Sequence, residues 1–212
     1  MMKAVTTPEH PTLHGRHVHL EPLRADMIDD MLAASTVDRS SYAWAWVPGD
    51  RPAMQHYVDY LLTARDAGEV MPFVQRRTAD MRIVGCTRFM NIDRWSANAA
   101  QHATADEVEI GGTWLCPTAQ RTPINTEAKL LLLTLAFDTW HVHRVAICSD
   151  ARNERSRNAI ARLGATFEGV LRNHRASYVA GESGVAPRDT AVYSIIRAEW
   201  PTVRSNLEAR LI

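Results

Sequence analysis

Residues 107–129 read EVEIGGTWLCPTAQRTPINTEAK. At the start of this stretch Glu107 and Glu109 alternate with Val108 and Ile110, the two-residue period of a strand with one face on a core. Both carboxylates therefore point to the same side. The strand runs on to Leu115, Pro117 ends it, and a short polar turn follows. Asn125 stands where a helix N-cap belongs, ahead of Thr126 and Glu127. From about Thr126 to Trp140, Leu130, Leu131, Leu133, Leu135 and Phe137 supply the apolar residues of a long helix. The first turn of a helix has unpaired N–H groups and a partial positive charge, so such a junction can hold a phosphate. Arg121 adds a full charge beside it. An ordinary strand-to-helix connection fits the same spacing.

Upstream, Arg16–Pro22 alternates as a strand, and Met27, Met31 and Leu32 recur at helical spacing within Asp26–Ala34. A loop with Tyr42, Trp44 and Trp46 leads to a helix over Pro52–Ala67, with proline near its start and Gly68 after its end. Val70–Arg76 and Met81–Asp93 form a hairpin about Thr78–Asp80, and Arg94–Ala105 is a polar loop, expected to be exposed. Downstream come strand Arg144–Ser149, helix Glu154–Leu163, strands Thr166–Leu171 and Thr190–Arg197, and a final helix over Glu199–Leu211. Gly181–Gly184 makes a flexible link between the last two strands. A middle hairpin followed by helical crossovers implies one α/β domain over residues 1–212, a mixed sheet with helices on both faces. Residues 1–12 are expected to be a flexible N-terminus.

The 24 basic and 24 acidic residues cancel, so the chain has no global pull toward nucleic acid or anionic lipid, and any anion must be held locally. Hydrophobic residues at 46% place it with globular chains. The longest apolar run, Leu130–Ala136, is too short to cross a bilayer, and Met1–Pro11 does not read as a secretory signal. The three widely spaced cysteines, Cys86, Cys116 and Cys148, suggest reduced thiols and a cytoplasmic setting. His17 and His19, or His141 and His143, are too few for a metal site, and no metal is expected.

After the strand at 144–149, Asn153 suits an N-cap and Gly164 a left-handed helix end, with Ser156 three residues on from Asn153. Those roles alone account for both side chains. Taken with the earlier turn, however, the chain resembles the GNAT acyltransferases, and in particular their RimJ/RimL-type branch. Gln120–Asn125 falls where that family has a Q/R-x-x-G-x-G/A turn that binds the coenzyme A pyrophosphate. Here Pro123 and Asn125 replace the small residues, and proline offers no N–H. Asn153–Gly164 resembles the family's N-x-x-S block. The likeness spans about Arg16–Arg197.

The resemblance implies a mostly antiparallel GNAT sheet, and acetyl-CoA or another acyl-CoA as co-substrate. It implies a donor site of Trp114, Leu115, Cys116, Gln120, Arg121, Thr122, Pro123, Ile124, Asn125, Thr126, Asn153 and Ser156. Backbone N–H near Trp114 or Leu115 would polarise the thioester. Asn153 would touch the pantetheine arm and Ser156 would protonate the departing thiolate. Glu109 is the expected base for the amine, directly or through water, unless it and Glu107 are merely solvated. Tyr42, Trp44 and Trp46, spaced by two in an extended loop, present one aromatic face. That face and Arg88 could wall the acceptor pocket, though the aromatics suit the core or a dimer contact equally. The acceptor is expected to be a primary amine, on a small molecule or on a protein N-terminus or lysine. The arginines 88, 121, 172 and 175 leave room for succinyl-CoA or another longer acyl donor. Pro123 and the missing glycines leave room for a CoA-binding regulatory module without turnover. Homo-oligomers are common in the branch it resembles.

Overall fold

The computed structural model describes residues 10–95, 105–177 and 186–212. The order is β1 (Leu13–His14), β2 (Val18–Pro22), α1 (Ile28–Thr36), α2 (Arg51–Asp66), β3 (Val70–Arg77), β4 (Ile83–Asp93) and β5 (Glu107–Leu115), followed by α3 (Ile124–Thr134), β6 (Arg144–Asp150), α4 (Glu154–Arg162), β7 (Thr166–Ala176), β8 (Pro187–Ile196) and α5 (Trp200–Ala209). Among the described residues these strands form one eight-stranded sheet in the order β1-β2-β3-β4-β5-β6-β8-β7. All neighbours are antiparallel except β5 and β6.

Strand alternation explains why helices cover both faces. Cys86 and Thr87 are adjacent on β4 and so point oppositely. The Cys86 thiol meets the Tyr57 hydroxyl of α2, while the Thr87 hydroxyl meets the Lys129 ammonium of α3. The stripe Met54, Tyr57, Val58 and Leu61 of α2 is almost wholly buried, each side chain contributing about 1.5–3 kcal/mol. That helix starts where Asp50 accepts the Ala53 N–H at 2.8 Å and ends before Gly68, whose φ is +76°.

Several expectations need correction. The helix expected over Thr126–Trp140 starts at Ile124 and widens into a π-helical turn over Leu135–Thr139. There the Trp140 N–H reaches back to the Leu135 carbonyl, and the Phe137 and Trp140 rings pack on Trp200 and Phe89. β7 runs to Ala176 and β8 begins at Pro187, since past an irregularity after Leu171 the two pair again through Arg175–Arg188 and Ala176–Pro187. Residues 10–12 belong to the domain: the His10 ring meets Phe73 edge-on, with centroids 4.5 Å apart. Burial and the nearby Arg65 hold that imidazole down to about 4. Of the loop expected to be exposed, Ala105 is buried. The glycine link at 181–184 and the rest of that loop, 96–104, lie outside the described residues.

Candidate active site

β5 and β6 run parallel but pair only through Glu107–Arg144, Val108–Val145 and Glu109–Ala146. Beyond Glu109 they part, leaving the edges of both strands without each other. The space between them is a cavity of about 460 Å³. Residues 110–115 of β5 and 147–150 of β6 form its walls, and Asn125 of α3 with Asn153 and Ser156 of α4 close one end. Tyr42, Trp44, Trp46 and Arg88 line it from the side of α2.

Glu109 sits where the strands part. It is almost fully buried, and its oxygens accept Arg175 Nη1 at 2.9 Å and Nη2 at 2.6 Å, with Asn91 Nδ2 at 2.8 Å. Oε1 accepts only one of these bonds and keeps acceptor capacity. A Cβ on Gly111 would lie 3.3 Å from that oxygen. Glu107 leans on Arg144, which also grips Glu168. The reading of these two carboxylates as merely solvated is therefore wrong.

At the turn before α3, Asn125 is not the N-cap. Pro123 takes that place with φ −59°, and the first helical bond runs from Glu127 N–H to the Pro123 carbonyl. A cap residue needs no N–H of its own, and proline's fixed φ suits a helix entry. The Asn125 and Thr126 amides precede that first bond, so they have no helical acceptor. Thr122 Oγ1 accepts the Ile124 N–H at 3.3 Å and donates to the Ala119 carbonyl. Arg121 adopts φ +60°, the left-handed conformation that glycine takes without strain. The left-handed residue of this turn is thus an arginine, outside the two positions where Pro123 and Asn125 stand in place of small residues.

Gln120 holds the turn: its Nε2 donates to Ser41 Oγ at 2.9 Å and the Leu115 carbonyl at 2.8 Å, while its Oε1 accepts from Arg155. Cys116 does not line the cavity; its thiol turns toward Thr118 and its amide donates to the Val84 carbonyl. Arg121, Thr122, Pro123, Ile124 and Thr126 stand just outside it. At the N-cap of α4, Asn153 Oδ1 accepts the Ser156 N–H at 3.0 Å, and both residues line the cavity. The aromatic loop is turned, not extended, because Ala45 N–H bonds the Tyr42 carbonyl. Its three rings consequently go separate ways: the Tyr42 hydroxyl to the Leu115 carbonyl, Trp44 under the Arg152 guanidinium, and Trp46 against Tyr57. Of the four arginines singled out, Arg88 and Arg175 line the cavity, and Arg121 and Arg172 are exposed outside it.

Three cavity residues had no signal in the sequence. Lys129 is almost fully buried on α3, its ammonium donating to Thr113 Oγ1 at 2.7 Å and Thr87 Oγ1 at 3.3 Å. Burial pulls it down to about 7. Cys148 on β6 is half-buried, and burial with the Glu109 charge pushes its thiol up to about 12. Asp150 is buried and paired with Arg152 at 3.0 Å. A lysine one turn past the helix start would have been found only by asking which of its neighbours fall on the sheet. Among the described residues no group of three or more His, Cys, Asp and Glu could hold a metal.

Comparison with known proteins agrees with this geometry. The acetyltransferase (GNAT) domain family matches residues 17–166. The chain belongs to the GNAT acetyltransferase family. A GCN5-related N-acetyltransferase from Brucella melitensis superposes with a TM-score of 0.82 at 30% identity, over 97% of this chain and 87% of that one. RimJ of Mycobacterium smegmatis, in complex with CoA-disulfide, gives 0.74 at 21% identity over 95% of each chain, a likeness of fold. YdaF of Bacillus subtilis (strain 168), named as a candidate ribosomal N-acetyltransferase, is 35% identical over 89 residues. That match spans 42% of this chain and 45% of YdaF, so the chain covers under half the length of this curated relative.

Proposed function

We propose that this GNAT chain is an acyl-CoA-dependent N-acyltransferase of the RimJ/RimL-type branch, transferring acetyl or a related acyl group to a primary amine. The observation that carries the reading is the parting of β5 from β6 just after Glu109. It opens a slot lined by unpaired strand edges, with a carboxylate at one end and two helix N-termini at the other. The names of YdaF and RimJ support the branch.

In this reading the Asn125 and Thr126 amides face the diphosphate of the donor, and the Asn153 amide holds the pantetheine arm. A backbone N–H near Trp114 or Leu115 donates to the thioester oxygen as it gains charge. Glu109 Oε1, directly or through water, takes a proton from the ammonium; the freed lone pair attacks the carbonyl carbon. The C–S bond breaks and the thiolate takes the Ser156 hydroxyl proton; the acylated nitrogen sheds its second proton, through water, to restore the Ser156 hydroxyl. A thiol held near 12 is protonated at neutral pH, so Cys148 is a poor covalent carrier and direct transfer is favoured.

Acceptors in this reading are small amines or protein N-termini and lysines. No helix among the described residues is long and apolar enough to cross a membrane, and we assign the chain to the cytoplasm. Phe167, Val170 and Leu171 lie exposed on the edge strand β7, which suits a homo-oligomer that light scattering would reveal. Calorimetry with CoA, followed by free-thiol release from acetyl-CoA over a panel of amines, tests the assignment. Heat on CoA addition and amine-dependent thiol release are expected. CoA binding with no thiol release would favour a regulatory module, which the proline in the turn and the locked Glu109 also suit. No CoA binding would end the reading.

A further inference from the structure

The cavity holds more positive than negative charge. Arg88, Arg155, Arg175 and Arg188 line it against only Glu109 and Asp150. Both carboxylates are already engaged, Glu109 by Arg175 and Asp150 by Arg152. Arg88 is the cation for which this matters most. Cross-strand pairs share a face, and Cys86–Trp114, Arg88–Gly111 and Met90–Glu109 are such pairs. Arg88 therefore stands on the same side as Glu109, between it and Trp114.

The position is built for a guanidinium. Between these pairs β5 has one residue more than β4, a bulge whose Gly112 has φ +56°. A Cβ there would lie 2.5 Å from Arg88 Cζ, so the glycine makes the room that the guanidinium occupies. The groups facing it are the Tyr57 phenol and the Cys86 thiol, both raised by burial and hence neutral. Among the described residues no carboxylate meets Arg88. A half-buried guanidinium without an anion is short of the partner its planar fork suits best.

We propose that one of the two organic reactants carries a carboxylate and that Arg88 receives it. The carboxylate belongs either to the acyl group of the donor or to the amine acceptor. This rests on the acyl-transfer reading above and narrows its substrate class. Arg88 selects the reactant; it takes no proton and breaks no bond.

The test is calorimetry on the full-length chain with two near-isosteric pairs. Succinyl-CoA against butyryl-CoA probes the donor. Free-amine peptides differing only in Glu or Gln at the second position, added to CoA-loaded protein, probe the acceptor. A charge-assisted bidentate contact should split one pair by about ten- to hundredfold in favour of the carboxylate. Arg88→Gln should collapse that split to less than about threefold, and Arg88→Lys, which keeps the charge, should retain part of it. Which pair splits identifies the source. Both pairs binding within about threefold to the unaltered protein overturns the inference, as does a split that survives in Arg88→Gln. Should the Gln variant not fold, the unaltered protein and the Lys variant still decide. CoA binding without any split removes only this inference, whereas absent CoA binding removes the acyl-transfer reading beneath it.

Discussion

Replacing Lys129 with Met should make the protein more stable at neutral pH. The side chain is almost fully buried, and among the described residues its polar partners are the hydroxyls of Thr113 and Thr87. Those two hydroxyls lie 2.8 Å apart and can bond each other once the ammonium is gone. Methionine keeps most of the apolar stem, so little volume is lost. Burial lowers the ammonium from 10.5 to about 7, which at about pH 7 corresponds to roughly 4 kcal/mol of lost stability. Between about pH 7 and 10.5 the unfolded chain holds a proton that the folded chain has released. The wild type therefore gains stability as pH rises through that window, and the variant has nothing there to titrate. At about pH 9.5 the same arithmetic leaves roughly 1.4 kcal/mol, so about 3 kcal/mol of the difference should vanish. Urea unfolding of both proteins at the two pH values measures this, because other titrating groups cancel in the comparison. A variant no more stable at neutral pH, or a difference unmoved by pH, would refute the account of Lys129 as a buried, unpaired amine.

Three further outcomes follow from the site. Glu109→Gln should lower kcat by about 10²–10⁴-fold while CoA affinity measured by calorimetry stays close to that of the wild type; an unchanged rate across pH would remove Glu109 from the mechanism. Ser156→Ala should slow turnover with acetyl-CoA but much less with an acyl thioester whose thiol is more acidic, since that leaving group needs no proton. Equal loss on both donors would argue for a packing role. Glu127→Ala strips the carboxylate that accepts the Arg16, His17 and Val18 amides at 2.8, 2.6 and 2.9 Å, and chemical denaturation should show about 3 kcal/mol lost. A change under about 1 kcal/mol would mean that water replaces those bonds.

Much of the fold is written in local pattern. The alternation at Glu107–Ile110 is periodic, Gly68 and Gly164 mark helix ends by their positive φ, and Asn153 caps its helix as its residue type suggests. The cleft residues near those markers, Glu109, Gln120, Asn153 and Ser156, were legible because family spacing ties them to strand and helix ends. The helix start beside Pro123 was misread by two residues because an asparagine and a proline two positions apart both suit a helix entry. The two-residue spacing of Tyr42, Trp44 and Trp46 misled for a related reason. A turn bond, Ala45 N–H to the Tyr42 carbonyl, cancels the alternation that an extended chain would show.

Long-range pairing decided the rest. Local sequence carries no record that β5 and β6 separate after Glu109, that Arg175 comes 66 positions along the chain to clasp it, or that Glu127 reaches back 110 positions to the His17 amide. Nor does it say that Lys129 turns inward to meet two threonines from different strands while Arg88 meets no carboxylate among the described residues. Periodicity and capping are set by neighbours three or four residues apart, and a sequence shows those. Charge compensation depends on which side chains the closed sheet brings within a few ångströms, and that exists only once the chain has folded.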